Sequence, residues 1–250
     1  MAMVSSVTAE LMGDVRLPLY QRLAEALKSA IAERKWRPGD RLPSERELAA
    51  RYGVAPGTAR QAIRQLAEEG LLDRRHGSGT FVRKPTFDAS LFRFFRFQTE
   101  GGERRIPGSR ILRRHAMPAP STVAHALELE PEAPVISMSR LRLLDDEPVL
   151  AEEIWLDQAR FAAFVSMDED EIGPLLYPIY DSHFGQIVAR AQECLTVEEV
   201  DGVYARLLRI EPGTPVIVIE RLALGVDGRP IEWRRSRGRA DRFRYHIEIH

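Results

Sequence analysis

The chain is 250 residues long, 44% hydrophobic and 29% charged, with a formal net charge of −1. That is enough apolar material for one large or two ordinary globular domains. No apolar run is long enough to span a bilayer, and the start, MAMVSSVTAELMGD, lacks the basic-then-apolar pattern of a secretion signal. A single cysteine, Cys194, excludes an internal disulfide framework, fits a reducing compartment, and reads as a small buried hydrophobe. A cytoplasmic protein is expected.

Charge is unevenly spread. Residues 16–84 hold 15 Lys and Arg against 8 Asp and Glu, a balance of +7, while the remainder holds 21 against 29, or −8. A basic block on an acidic body points to a polyanion as the partner of the first part alone.

In LPLYQRLAEALKSAIAERKW, the residues Leu19, Leu23, Ala26, Leu27, Ala30 and Ile31 fall at helical spacing, and RPGD ends the helix. Ser44 followed by Glu47 is a capping-box pattern, so a second helix starts at Ser44 and stops at Gly53. Pro56 is tolerated in a first helical turn, where its missing N–H has no partner to lose. A third helix therefore begins there, with Ala59, Ala62, Ile63 and Leu66 inward and Arg60, Gln61, Arg64 and Gln65 outward. LLDRRHGSGTFV then reads as a hairpin.

Three helices and a hairpin make a winged helix-turn-helix, whose third helix enters the major groove by its N-terminal end. A tip of Pro56, Gly57 and Thr58 lets the backbone approach a phosphate closely. Base reading falls to longer side chains, Arg60 on this helix and Arg46 on the one before, with Arg64 a further DNA-binding candidate on the outer face and His76 and Gly77 of the wing at the minor groove. Leu17 to Val82 closely resembles the GntR family of bacterial transcription regulators, through PLYQRLAEALKSAI, RPGDRLPSERELAARYGV, TARQAIRQLAEEGLL and RRHGSGTFV. The resemblance implies contacts from Arg46, Thr58, Arg60, His76 and Gly77. The chain departs from the family at Pro56, where many members carry a further arginine, and at Ala55, where they carry a small hydroxyl residue. Fewer base contacts per half-site are implied.

The rest of the chain is built twice. ELEPEAPVISMSRLRLLDDEPVLAEEIW and RIEPGTPVIVIERLALGVDGRPIEWRRS align at an offset of 81 residues, with one inserted residue before Pro230. Each copy follows a short helical pattern, STVAHALEL or TVEEVDGVYARLL, and folds around an Asp-rich turn. One antiparallel sheet with pseudo-twofold symmetry is expected, covered by helices such as IGPLLYPIYDSHFG. With two-residue turns, period-two alternation puts Arg140, Arg142 and Glu153 on one face and Glu152 on the other. The same rule groups Glu232 with Arg221 and Ala223. A cleft holding these guanidiniums and carboxylates suits a small ligand with an anionic group, and a salt-bridged sheet surface is the plainer alternative.

This body is similar to the UTRA ligand-sensing domain of the HutC subfamily, whose fold is like chorismate lyase, through RLRLLDDEPVLAEEIWL, PGTPVIVIERLALGVDGRPIEWRRS and RADRFRY. The resemblance implies effector contacts from Arg140, Arg142, Glu153 and Glu232. Gly238 stands where relatives often carry a tyrosine. Between the two parts, LFRFFRF alternates apolar and basic residues, as a strand with one packed face does or as a nucleic-acid stacking segment does.

The expected organisation is an α+β chain: a tail over 1–15, a winged helix-turn-helix over 16–84, a linker over 85–91 and a UTRA-like domain over 92–250. The expected function is a ligand-responsive repressor that binds a palindromic operator as a homodimer, with no cofactor and no metal. The alternatives are an enzyme of chorismate-lyase-like fold and a constitutive DNA-binding protein. Neither a nucleophile elbow, a phosphate loop nor a metal-spaced His/Cys/Asp cluster occurs in the sequence.

Overall fold

The computed structural model describes residues 11, 16–75, 77–83 and 106–241. His76, the linker and LFRFFRF lie outside the described residues. The chain divides into two compact units, residues 1–86 and 87–250.

The first unit has three helices, α1 (Leu19–Ala32), α2 (Glu45–Tyr52) and α3 (Pro56–Glu68), then a hairpin of β1 (Leu72–Arg75) and β2 (Gly79–Val82). The capping box forms as its spacing predicts. Glu47 N–H donates to Ser44 Oγ at 3.3 Å, and Ser44 N–H donates to Glu47 Oε2 at 2.7 Å. Gly53 ends α2 in the left-handed region at φ 65°. The core joins Leu23, Leu27 and Ile31 of α1 to Leu48 of α2 and Ala59, Ala62, Ile63 and Leu66 of α3. Leu19, expected inward, is exposed, and Ala24 is buried instead.

The second unit is a six-stranded antiparallel sheet in the order β3-β4-β5-β8-β7-β6. The strands are β3 (Gly108–Pro118), β4 (Pro134–Leu144), β5 (Glu147–Asp157), β6 (Val188–Glu199), β7 (Pro215–Gly225) and β8 (Pro230–Arg239). Helices α4 (Ser121–Ala126), α5 (Glu169–Ile172), α6 (Leu176–Phe184) and α7 (Gly202–Leu208) complete it, with a 3-10 turn at Ala162–Val165. The order is symmetric about the central β5–β8 pair. The repeat therefore extends one strand further back than the sequence shows, since β3 and β6 occupy matching edges. The second copy's helix is shorter than expected: Thr196–Glu199 belong to β6, and Asp201 caps α7 by accepting from Val203 N and Tyr204 N at 2.9 Å.

The two sheet faces differ. One carries α4 and α7 over Val135, Leu141, Ala151, Trp155 and Val216. Trp155 and Trp233 stack there at 4.9 Å, directly across the central strand pair. The other face carries Ile136, Met138, Ile154 and Leu156 under Phe161, Phe164, Ile172, Leu176 and Tyr180. Cys194, expected to be buried, is exposed, because it lies on the edge strand β6. Among the described residues, no helix is long and apolar enough to cross a membrane.

Candidate nucleic-acid interface and effector site

In the first unit, Pro56 occupies the opening of α3 after an extended Ala55 that makes no side-chain cap. The N–H groups of Thr58 and Ala59 both return to the Ala55 carbonyl, at 3.0 and 3.2 Å. Helix geometry then leaves the N–H of Gly57 as the orphan donor of the tip. A Cβ built on Gly57 meets nothing within 4 Å, so packing does not demand a glycine there. Gly77 differs: its φ of +72° gives a backbone reason for glycine in the wing turn.

Arg46, Arg60 and Arg64 are all exposed, and Thr58 is half-buried. Arg64 Nε donates to Glu68 Oε1 one turn on, at 2.9 Å. Arg60 Nε donates to Glu45 Oε2 at 2.9 Å, and Arg74 Nη2 donates to Glu45 Oε1 at 3.3 Å. Neither Glu45 nor Arg74 is found by sequence spacing, because the contacts join positions 15 and 29 residues apart.

In the second unit, the expected facing of the first hairpin is reversed. Leu144 pairs with Glu147 around a two-residue turn, and Leu143 pairs with Pro148. The register then shifts, so that Arg142 faces Leu150 and Arg140 faces Glu152. Val149 is the extra residue of a β-bulge, and one extra residue flips every later side chain of β5. Glu152 therefore shares a face with Arg140 and Arg142, while Glu153 lies on the opposite face. There Glu153 accepts from Arg237 Nη1 at 2.9 Å.

The second hairpin carries a bulge at the matching place, with Ile231 extra. Its loop is also one residue longer, closed by Gly225 N–H to the Arg229 carbonyl at 2.8 Å. The two departures cancel in the alternation, so Glu232 does share a face with Ala223 and Arg221.

Four guanidiniums are buried on this face: Arg140, Arg142, Arg221 and Arg234. Arg140 Nε donates to Glu152 Oε2 at 2.5 Å, and Arg234 Nη1 donates to Glu152 Oε1 at 3.1 Å. Arg234 also grips Glu232 bidentately, at 2.9 and 2.7 Å. The hydroxyl of Tyr180 donates to Glu232 Oε2 at 2.7 Å, and that of Tyr177 to Oε1 at 3.3 Å. Arg221 pairs with Glu193, and Arg142 donates to the Pro174 carbonyl. Nη1 of Arg140 is buried and, among the described residues, has no hydrogen-bond partner.

Electrostatics follow the geometry. Burial alone would raise Glu152, but Arg140, Arg234 and Arg142 outweigh it and hold the carboxyl far below the usual range. Burial, and next the neighbouring charge of Arg140, lowers Arg142 to about 9. That guanidinium keeps its charge at neutral pH, but burial and Arg140 make the charge more costly than in water, and a bound anion would offset that cost. Burial, then Glu232, pushes Tyr177 up to about 12 and Tyr180 well above its ordinary value, so both remain hydrogen-bond donors at neutral pH.

Arg234 was legible by the alternation rule itself, being two residues past Glu232. Tyr177 and Tyr180 carry a weaker signal, a helical spacing of three in YPIY. Glu152 carries none, because alternation cannot show a bulge. Among the described residues, no group of three or more His, Cys, Asp and Glu is placed to hold a metal ion.

Comparison with known proteins agrees with both units. The family described as "Bacterial regulatory proteins, gntR family" matches residues 19–82, and "UTRA domain" matches residues 102–244. The chain is 27% identical over 231 residues to the mannosyl-D-glycerate transport/metabolism system repressor MngR of Escherichia coli, covering 91% of this chain and 94% of that protein. It is 29% identical over 230 residues to the transcriptional repressor NagR of Bacillus subtilis, covering 92% and 93%. Among solved structures, PhnF from Mycobacterium smegmatis matches with a TM-score of 0.55 and 26% identity, over 91% of this chain and 99% of that one. The ligand-binding domain of a GntR-family regulator from Bordetella bronchiseptica matches with a TM-score of 0.57 and 27% identity, over 63% and 98%. The winged head, the twice-built sheet and these likenesses lead to one conclusion: the chain belongs to the GntR family of bacterial transcription regulators, with a UTRA domain as its second unit, and is not an enzyme.

Proposed function

We propose that this chain is a repressor that binds a palindromic operator as a homodimer and changes its affinity when a small anionic metabolite enters the second unit. Operator contacts come from Arg46, Gly57, Thr58, Arg60, Arg64, His76 and Gly77. Effector contacts come from Arg140, Arg142 and Glu232, with Glu152 taking the place expected for Glu153. The observation that supports an anion is the Arg140 guanidinium, 1% exposed, whose terminal nitrogen Nη1 has no hydrogen-bond partner among the described residues and which shares its sheet face with three other buried arginines. A buried unpaired donor is costly, and an incoming carboxylate or phosphate oxygen would satisfy it. A ligand that prefers one conformation of the dimer then shifts the population able to bind DNA.

The test has two stages. A thermal-shift screen of inorganic phosphate, small acids, amino acids and sugar phosphates identifies stabilising anions. Each hit is then titrated into the complex of protein with the duplex it enriches from a randomised library. Arg142→Met is expected to hold that duplex as wild type does and to lose the response to the anion. A variant that keeps the full response removes Arg142 from the site, and a screen that finds no stabilising anion overturns the anionic effector.

A further inference from the structure

The surface expected to face DNA contains a carboxylate, which a phosphate backbone should repel. Glu45 is the first residue of α2, and its side chain is only 24% exposed. Its two oxygens hold guanidiniums from two different elements, Arg60 of the third helix and Arg74 of the wing strand β1. Those two side chains remain 67% and 48% exposed. Ion pairs this open contribute little to stability, so stability does not account for the arrangement.

Recognition does account for it. Arg60 spends Nε on Glu45, which leaves the two terminal nitrogens as a fork for O6 and N7 of a guanine. Fixing the guanidinium before DNA arrives removes part of the side-chain ordering cost of binding. The same carboxylate opposes loose attachment to arbitrary phosphates, because it offsets positive charge where the duplex lies. Sharing Glu45 also ties the wing to the recognition helix, so Arg74 is delivered to the duplex in fixed register with Arg60.

We infer that Glu45 is a positioning residue for sequence recognition: it aligns Arg60 for base reading, carries Arg74 to the duplex as a further contact, and suppresses sequence-independent binding. The inference rests on the proposal above that α3 reads bases.

The experiment uses the full chain, the duplex that wild type enriches from a randomised library, and a scrambled duplex of equal length at moderate ionic strength. Glu45→Gln keeps size and a hydrogen-bonding oxygen but removes the charge. It is expected to lower the preference for the enriched duplex about tenfold, partly by tightening the hold on the scrambled one, with an unchanged thermal midpoint. In an Arg60→Ala background the same change should shift the preference less than about twofold. Arg74→Ala should weaken both duplexes. Three results overturn the inference: Glu45→Gln weakening both duplexes alike with a lowered midpoint, an equal effect with and without Arg60, or no effect of Arg74→Ala on either duplex. If Arg60→Ala itself leaves the preference intact, or wild type enriches no sequence, the base-reading role of α3 fails, and that failure is distinct from the others.

Discussion

Arg140 and Glu152 face each other across β4 and β5, and a 2.5 Å bond joins Nε to Oε2 with both side chains 1% exposed. The pair exists because Val149 is squeezed out of register; without the bulge Arg140 would face a different residue and Glu152 would point to the other side of the sheet. It anchors the remaining charges, since Arg234 bridges from Glu152 to Glu232.

Removing the charge of Glu152 should therefore be costly. Glu152→Gln leaves Arg140 and Arg234 buried beside a neutral amide, and a broken buried pair costs about 3–5 kcal/mol. Glu153→Gln should cost far less, because Arg237 keeps Glu198 at 2.6 Å and stacks over the Tyr204 ring at 3.9 Å. Denaturant unfolding of the two variants measures the difference, and equal losses would contradict the observed register.

Acid should loosen the second unit through the same residue. The folded state holds Glu152 below its unfolded value of 4.5, so the pair's contribution is complete above that value and fades as pH falls below it. Glu152→Gln should thus flatten the acid limb of a stability–pH profile relative to wild type. At the alkaline end the sign is opposite. Tyr177 is raised from 10.0 to about 12, so its contribution is complete below 10 and is lost as pH rises towards 12. Tyr177→Phe should remove that loss, which a phenolate absorbance titration follows directly.

Gly57 separates folding from function. It lies in the first turn of α3, with open space where a Cβ would go and without a positive φ. Glycine costs a helix roughly 0.5–1 kcal/mol relative to alanine. Gly57→Ala should therefore raise the stability of the first unit by up to about that much and weaken its hold on the enriched duplex. Thermal unfolding and a binding titration on the same sample test both halves. A variant that gains stability and binds as well as wild type would mean that the tip does not approach the duplex closely.

The first unit was legible because its signals are local. A capping box spans three residues, a left-handed stop needs one glycine, and a helical stripe repeats within a few turns, so Ser44, Glu47, Gly53 and Pro56 announce their roles in the chain itself. The repeat was legible for a related reason: matching prolines and arginines at one offset require matching strands, whatever packs on them. What the chain alone did not determine is which carboxylate meets which arginine. Strand alternation gives side-chain facing only up to a shift of one residue, and Val149 carries no mark that separates it from its apolar neighbours. Tertiary packing set that shift, and with it decided that Glu152 rather than Glu153 joins the buried cluster, just as chain folding alone brought Glu45 between Arg60 and Arg74.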